Sequence, residues 1–166
     1  MFDIDYDKIQ VKDVAVRADV ALGTLYRYFN SKDHLFACAL QSWSSRFGER
    51  FERRASGETV DQVKAVYRRA VRAFDRQPRV YGVMIQVQTS KDPHAVAMWR
   101  EFAGQQTSAF GLALGSSDLS EEKRRDVVVV MGAVLNESLR RWQVGNLPIA
   151  DVYTAIDRAA DLIFSA

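Results

Sequence analysis

The sequence predicts an all-α protein in which a helix-turn-helix head precedes a larger helical-bundle body. Three observations support this fold class. Apolar residues recur at helical spacing along nearly the whole chain. Residues typical of helix caps, together with prolines, divide the chain into eight helical segments. The short segment that begins near residue 22 has an apolar face opposite a polar one. The valine run 127–130 resembles a strand on its own, but it lies inside a capped helical pattern, so we expect helix there too. The head is expected over residues 1–40 and the body over residues 41–166.

Two short helices joined by a tight turn form the predicted head. The first covers residues 11–18 and the second begins near residue 22, so the turn 19–21 gives a helix-turn-helix layout. Asp19 tolerates the left-handed backbone conformation that such turns often require. The inward face of the second helix is apolar and consists of Leu22, Leu25 and Phe29. Its other face carries a small residue, a hydroxyl, a guanidinium and a phenol, contributed by Gly23, Thr24, Arg27 and Tyr28. This combination indicates a helix that lies in a DNA groove.

Six further helices are predicted after the head. They are expected over residues 32–54, 59–77, 78–89, 93–114 and 119–145, and from residue 148 to the end of the chain. Ser31, Asp92 and Asp118 are predicted N-caps, and Thr59 with Gln62 fits a capping box. Proline opens three of these helices, because its fixed φ and missing N–H suit a first helical turn.

The composition is that of an ordinary soluble globular protein, with 48% hydrophobic and 27% charged residues among 166. No apolar run reaches the length of a membrane span, and the first residues lack the basic and apolar regions of an export signal. Cys38 is the single cysteine, so it cannot form an internal disulfide and is expected to be a small core residue. We therefore expect a cytoplasmic protein with no membrane partner.

The distribution of charge is more informative than the net charge of +2. Five cations against two carboxylates give +3 over residues 8–32, so the rest of the chain sums to −1. A modest positive patch therefore coincides with the predicted groove-facing helix, as phosphate binding requires.

An enzymatic function is not expected from this sequence. His34 and His94 lie far apart, show no metal-ligand spacing, and are each expected on a helix surface. The sequence has neither a phosphate-binding loop nor a nucleophile elbow. We predict no catalytic residue, no metal site and no cofactor.

The segment from Val11 to Leu40 resembles the DNA-binding head of the TetR family of repressors. The resemblance is carried by the string Gly23-Thr24-Leu25-Tyr26-Arg27-Tyr28-Phe29, followed by Ser31-Lys32 and an apolar helix. The preceding Arg17-Ala18-Asp19-Val20-Ala21 is similar to the KstR-like branch of that family, which includes a repressor of steroid catabolism. The resemblance implies a dimeric, ligand-responsive repressor.

Helical geometry and the resemblance agree on the roles of five head residues. Gly23 is expected to let the backbone approach the groove, and Arg27 to reach guanine acceptors or a phosphate. Thr24, Tyr28 and Lys32 suit contacts with phosphates.

Other head residues are candidates mainly because of the resemblance. Gln10 and Lys12 match family positions that reach the flanking backbone or a base. Tyr26 has two interpretations, a phosphate contact through its hydroxyl, which the resemblance implies, or an inward position beside Leu22 and Phe29. The full predicted DNA-binding set is Gln10, Lys12, Leu22, Gly23, Thr24, Tyr26, Arg27, Tyr28 and Lys32.

One departure from the family concerns the start of the head, where the family normally has a further helix. Residues 1–7 are too short and too acidic to supply that helix whole. Either the chain is truncated, or a residual first segment covers the exposed core with Phe2, Ile4 and Tyr6. The short first segment affects how tightly the head is expected to bind DNA, and it does not affect the resemblance to the family.

Aromatic and methionine side chains in the body predict either a core or the wall of a hydrophobic ligand site. Such residues at helical spacing usually form a core. However, glutamine and asparagine recur among them, as in a small-molecule cavity, and the family holds its inducer among the middle helices. The predicted ligand-binding set is Tyr67, Met84, Trp99, Phe102, Gln106, Val134 and Asn136. Because the walls carry no charge, we expect a bulky apolar effector, such as an acyl or steroid-like compound.

The last two helices carry apolar stripes that exceed what one small body is expected to bury. Gly132 would permit close approach of a second helix, and the resemblance implies a dimer built from this helix pair. The predicted dimer interface is Val128, Gly132, Leu135, Leu139, Val152, Ile156 and Ile163. The alternative is a monomer that buries these stripes internally.

Together these features predict a ligand-responsive, TetR-like repressor. It is expected to bind a pseudo-palindromic DNA operator as a homodimer and to be released by a hydrophobic small-molecule effector. The alternative is a helical dimer that binds a ligand but not DNA.

Overall fold

Residues 6–51, 57–115 and 118–165 are described by the computed structural model, and they form eight α-helices and no strand. The helices are α1 (Val11–Arg17), α2 (Leu22–Tyr28), α3 (Lys32–Phe51), α4 (Thr59–Arg76), α5 (Pro78–Gln88), α6 (Pro93–Ala113), α7 (Glu121–Gln143) and α8 (Ile149–Phe164). A short 3-10 turn, Tyr6–Lys8, precedes α1. The all-α prediction is confirmed, and the valine run lies within α7, as expected.

Local capping explains where several of these helices begin. The Oγ of Ser31 accepts a hydrogen bond from the N–H of His34 at 3.0 Å ahead of α3. Asp92 Oδ1 accepts one from the N–H of Ala95 at 2.9 Å ahead of α6. Each oxygen satisfies an N–H group that has no partner within the helix, so both predicted N-caps are confirmed.

Two other predicted caps differ from the structure. The N-cap of α7 is Ser120, whose Oγ accepts from the N–H of Lys123 at 3.2 Å, so the prediction of Asp118 was wrong by two residues. Helix α4 begins at Thr59 itself, because the carbonyl of Glu58 already accepts the first helical hydrogen bond, from the N–H of Gln62. The Gln62 side chain donates to the Gly57 carbonyl at 2.9 Å. Thr59 therefore lies one residue too late for the predicted capping box.

The chain packs as two compact units. Unit 1 combines Met1–Ser45 with Gln77–Ala103, and unit 2 combines Arg46–Arg76 with Gly104–Ala166. The predicted head of residues 1–40 lies within unit 1, which also includes α5 and the first half of α6.

Unit 1 contains a small core that fixes the first two helices. Ala15 of α1, Leu25 of α2 and Leu35 of α3 are buried together, and three further apolar residues pack partly against them, namely Val11, Val14 and Phe29. Helix α5 packs against the 3-10 turn before α1. Cys38 on α3 is half-buried, and burial raises the pKa of its thiol.

Unit 2 is a bundle in which α8 packs against both α4 and α7. On α8 the buried residues recur every four positions, at Val152, Ile156 and Ala160. At the rim of the α4–α8 contact, Arg68 Nε donates to Asp157 Oδ1 at 2.7 Å, and Lys64 Nζ lies 2.5 Å from Asp161 Oδ1. The pairing of 68 with 157 and 64 with 161 shows that the two helices run antiparallel.

Candidate functional site

The turn between α1 and α2 sets the direction of the second helix. Asp19 adopts φ +54°, as predicted for this turn. Its N–H donates to the Val16 carbonyl, and the N–H of Val20 donates to the Ala15 carbonyl, both at 3.1 Å. This pair of hydrogen bonds is a Schellman motif, which ends α1 and turns the chain into α2.

Helix α2 is held to the core mainly by Leu25, which is buried. Phe29 just after the helix packs partly against the same core, whereas Leu22 is 41% exposed. The inward prediction is therefore confirmed for Leu25 and partly for Phe29, and it was wrong for Leu22. The physical reason is that the core beneath α2 is small and has only three buried residues, one each from α1, α2 and α3. Leu22, the first residue of α2, therefore lies outside it.

The remaining surface of α2 faces solvent, and we call it the α2 face. It consists of Leu22, Gly23, Thr24, Tyr26, Arg27 and Tyr28, all of them exposed. The exposure of Tyr26 decides between its two interpretations in favour of an outward position. A Cβ placed on Gly23 would meet nothing within 4 Å, so the packing of the chain itself does not require a glycine there.

Two more predicted contacts lie at the start of α1. Gln10 is the N-cap residue, and its side chain makes no capping hydrogen bond. Gln10 and Lys12 are both exposed on the described chain. Their roles in DNA binding stay predictions.

Lys32 is placed differently from the other predicted DNA contacts, because its ammonium already has partners in the chain. Lys32 Nζ donates to the Tyr6 carbonyl at 2.6 Å and lies 4.1 Å from the centroid of the Tyr6 ring. The side chain is half-buried, so Lys32 holds the 3-10 turn against the start of α3. A phosphate contact would have to use its remaining donor capacity.

Asp33 joins three segments of unit 1, and sequence reasoning missed it. Its carboxylate accepts hydrogen bonds from the Tyr6 hydroxyl and from Ser90 Oγ, and that Oγ accepts from the N–H of Asp92 at 3.1 Å. Burial, followed by the hydrogen bond to Asp33, raises the pKa of Tyr6. The only sequence signal was an acidic residue in the first turn of α3, which is a common helix feature.

Tyr6 covers part of the core, as expected for the first segment. Its ring packs edge-on against Phe36, with 4.9 Å between centroids. Phe2 and Ile4, for which the same role was predicted, lie outside the described residues.

The two histidines lie far apart in the sequence, but the fold brings them together. The rings of His34 and His94 stack with 5.3 Å between centroids, and His34 Nδ1 accepts from the N–H of Asn30 at 3.2 Å. His94 is exposed, as predicted, and His34 is half-buried. Among the described residues, no group of three or more histidine, cysteine or acidic side chains could hold a metal ion.

The predicted ligand-binding residues fall in both units. In unit 1, Met84 and Phe102 are buried, and Trp99 stacks on Phe102 at 5.3 Å. In unit 2, Tyr67 is fully buried and stacks on Phe110 at 4.6 Å.

The other members of that set differ in exposure. The Tyr67 hydroxyl donates to the Val128 carbonyl at 3.2 Å, and burial raises the pKa of this tyrosine. Gln106 and Val134 are half-buried, whereas Asn136 is exposed. Of the two predicted polar groups, Gln106 is thus the half-buried one.

The predicted dimer interface lies mostly inside unit 2. Five of its seven residues are buried within a single chain, namely Val128, Leu135, Leu139, Val152 and Ile156, while Gly132 and Ile163 are half-buried. Those five form the core between α7 and its neighbours and are not available to a partner. The apolar side chains that α7 and α8 do expose include Val129, Val130 and Leu162.

Within the described part of the chain, no helix combines the length and the apolar character needed to cross a membrane.

Comparisons with known proteins agree with this geometry in both parts of the chain. A family model described as bacterial regulatory proteins, tetR family, matches residues 2–39. A second, described as the tetracyclin repressor-like C-terminal domain, matches residues 57–163.

The chain is also similar to named repressors over most of its length. It is 31% identical over 160 residues to the HTH-type transcriptional repressor KstR of Mycobacterium tuberculosis, covering 95% of this chain and 72% of that protein. It is 27% identical over 158 residues to KstR of Rhodococcus jostii, covering 95% and 74%. The resemblance of the head to the KstR-like branch is thereby confirmed.

Solved structures show the same fold. A TetR transcriptional regulator from Rhodococcus sp. RHA1 superposes with a TM-score of 0.78 at 28% identity, covering 98% of this chain and 88% of that one. The regulator FadR of Bacillus subtilis, solved in complex with stearoyl-CoA, superposes with a TM-score of 0.71 at 16% identity, covering 96% and 89%. The second likeness concerns the fold alone. With the family models matching both the helix-turn-helix and the helical body, the chain belongs to the TetR family of bacterial transcriptional regulators.

Proposed function

We propose that this protein binds a pseudo-palindromic operator as a dimer, represses transcription there, and is released by a hydrophobic small molecule. The functional parts are the head of residues 1–40 and the body of residues 41–166. The observation that carries the DNA-binding role is the α2 face, a helix surface that the chain leaves uncovered although it includes a leucine and two tyrosines.

Charge and symmetry support DNA as the occupant of that surface. Residues 8–32 carry +3, so the uncovered helix lies in the positive part of the chain. In a two-fold dimer, the two α2 helices would enter successive major grooves about 34–36 Å apart, which explains why a palindromic site is expected.

Arg27 provides the test of this function. Wild-type protein is used to select duplexes from a pool with randomised centres, and affinities for the selected duplex are measured by fluorescence anisotropy. Arg27→Ala is expected to weaken binding by about 1–3 kcal/mol, with a relaxed preference at one base pair if Arg27 reads that base. Arg27→Lys keeps the charge but loses the planar guanidinium fork, so it should bind more tightly than Arg27→Ala and discriminate less between base pairs than the wild type.

Two results would contradict the proposal. Equal affinity of wild type and Arg27→Ala would remove Arg27 from the reading role. Failure of the wild type to select any duplex would favour the alternative, a helical dimer that binds a ligand but not DNA.

A dimer is supported by apolar side chains that remain exposed on unit 2. Val129 is 67% exposed on α7, with Val130 and Ala133 beside it, and Leu162 is 78% exposed on α8. Gly132 lies among these residues, and a Cβ there would meet nothing within 4 Å. We place the dimer interface on this outer side of α7 and α8, because the residues predicted from the sequence form the core beneath it.

Two aromatic stacks support an apolar effector. Trp99 with Phe102 in unit 1 and Tyr67 with Phe110 in unit 2 include no charged side chain. An ionic headgroup would therefore be costly to bury beside either stack.

The choice of probes follows from the expected chemistry. A steroid and a long-chain acyl-CoA are suitable probes. The acyl chain of the latter is apolar, its charged CoA group would have to stay in solvent, and a regulator of the same fold was solved with stearoyl-CoA. The effector should raise the Tm and release DNA over one concentration range, since both effects share a binding constant. If only small, highly charged metabolites raise the Tm, the effector is not apolar.

A further inference from the structure

Helix α2 has few side chains that can read a base edge through paired hydrogen bonds. Its sequence, Leu-Gly-Thr-Leu-Tyr-Arg-Tyr, contains one arginine and no lysine, asparagine, glutamine, aspartate or glutamate. Bidentate reading of guanine uses Arg or Lys, of adenine Asn or Gln, and cytosine is read by Asp or Glu. Each head can therefore make one such contact from α2, through Arg27.

The same region has a surplus of exposed apolar groups instead. Ten large hydrophobic residues are exposed in the described chain, and five of them fall within residues 16–28, namely Val16, Val20, Leu22, Tyr26 and Tyr28. Ala21 and Thr24 add two exposed methyl groups on either side of Leu22. Apolar surface concentrated in this way normally marks a recognition surface.

Thymine is the base that presents an apolar group in the major groove, its C5 methyl. We infer that the N-terminal end of α2, with its N-cap residue Ala21, reads thymine methyl groups through Ala21, Leu22 and the methyl of Thr24, while Arg27 supplies the hydrogen-bonded contact. The inference rests on the proposed DNA-binding function and adds the chemistry of base selection to it.

Gly23 fits this mode of reading. Methyl contacts require carbon atoms within about 4.0–4.5 Å, so the helix must lie close to the base edges. Gly23 lies between Leu22 and Thr24, has no side chain, and has open space where a Cβ would be. The backbone can therefore come near enough for the short side chains on either side of it to touch a methyl group.

A protein partner is the other occupant that exposed apolar residues could have. The charge and the polar groups favour DNA, because Arg27 and the two phenols lie on the same surface within a segment of charge +3. A DNA duplex is anionic and has apolar groups along its major groove, so it complements both the positive charge and the apolar side chains of this surface. An apolar protein surface would complement the apolar side chains alone.

The test replaces thymine with uracil, which removes the methyl and leaves the base-pairing hydrogen bonds unchanged. A duplex selected by the wild-type protein is synthesised with one deoxyuridine at a time, and its affinity is compared with that of the parent duplex. Each contacted thymine should lose about fourfold in affinity, the value of one buried methyl-sized group. The sensitive positions should form two clusters, one for each head.

Two variants assign the effect to the protein. Leu22→Ala should weaken binding to the thymine duplex and abolish the response to uracil at one position in each cluster. Its side chain is 41% exposed, so the fold should be retained, which the urea-unfolding midpoint checks. Tyr28→Phe, at a predicted phosphate contact, should weaken binding to thymine and uracil duplexes equally.

The outcomes separate this inference from the proposed function. Recovery of a preferred duplex whose affinity is unchanged by uracil at every position would overturn thymine reading and leave DNA binding intact. An equal response in Leu22→Ala and wild type would remove Leu22 from the contact. Failure to recover any duplex would overturn the proposed function itself, and thymine reading with it.

Discussion

At Gly23 the requirements of folding and of DNA binding oppose each other. Glycine destabilises a helix relative to alanine, and the space around Gly23 would accept a methyl group. Gly23→Ala is therefore expected to raise the free energy of unfolding by about 0.5 kcal/mol, measured by urea denaturation. The same methyl would hold α2 away from the groove, so affinity for the selected duplex should fall.

Gly104 is the matched control, because it also lies within a helix and a Cβ added there would meet nothing within 4 Å. Gly104→Ala should stabilise the chain similarly and leave DNA affinity unchanged. A Gly23→Ala protein that binds DNA as tightly as wild type would show that α2 does not approach the base edges closely.

Asp19 occupies a position where the backbone conformation favours glycine. The ends of α1 and α7 share the same Schellman hydrogen bonds, but α7 has Gly145 at φ +76° where α1 has Asp19 at φ +54°. Asp19→Gly should therefore raise the free energy of unfolding by about 1 kcal/mol, because an L-residue is strained in the left-handed region. The reverse change, Gly145→Asp, should lower it by a similar amount. A destabilised Asp19→Gly protein would show that the aspartate side chain stabilises the turn more than the strain costs.

At the scale of the elements, Tyr67 joins α4 to α7 through its hydrogen bond to the Val128 carbonyl. Burial raises the pKa of Tyr67 in the folded state above the usual value of about 10. The folded protein therefore keeps this proton where the unfolded chain releases it. The stability that depends on the neutral phenol is fully present below pH 10 and is lost as the pH rises above it.

Tyr67→Phe tests this link between two helices. At pH 7 the variant should be about 1 kcal/mol less stable, since it lacks the hydrogen bond. Above pH 10 the wild type should lose about 1.4 kcal/mol per pH unit through this group, and the variant should lack that contribution. Urea unfolding between pH 7 and 11 gives both values. Parallel pH profiles for the two proteins would mean that Tyr67 ionises in the folded state as readily as in the unfolded chain, so that folding does not raise its pKa.

The helices and the outward face of α2 could be predicted because the signals for both are local. Ser31 and Asp92 cap helices within four residues of themselves, and the single buried leucine of α2, Leu25, orients that helix. The contacts of Asp33 with Tyr6 and Ser90 could not be predicted, because they join residues 27 and 57 positions apart that only the fold brings together.

The sequence could not separate core from interface residues on the last two helices for a related reason. Periodicity identifies an apolar stripe but does not say whether the same chain or a second one covers it. In α7 the stripe that includes Leu135 and Leu139 is covered by unit 2 itself, and the exposed valines lie beside it. The residues of α7 that a partner could contact, such as Val129 and Val130, therefore lie outside the apolar stripe from which the interface was predicted.

The arrangement of the whole molecule depends on the oligomeric state, since a palindromic operator needs two heads. Val129→Lys places a charge on the exposed side of α7 that we propose as the dimer interface. Val129 is 67% exposed in the single chain, so its replacement should alter the stability of the monomer by no more than about 0.5 kcal/mol. Sedimentation at micromolar concentration should show a wild-type dimer and a folded, monomeric variant. The variant should bind the full operator as weakly as a single half-site.

Two further substitutions show which surface matters. Val144→Lys adds the same charge at a 55% exposed valine just after α7, which is not among the residues that we propose for the interface, and should leave the dimer intact. Ile156→Arg would place a charge in the core of unit 2, where the residue is fully buried, and should unfold the chain at a cost of several kcal/mol. A wild-type monomer at micromolar concentration would overturn the dimer. A Val129→Lys dimer as stable as the wild type would show that the interface lies elsewhere, because a lysine ammonium cannot be buried unpaired in an apolar contact without weakening it.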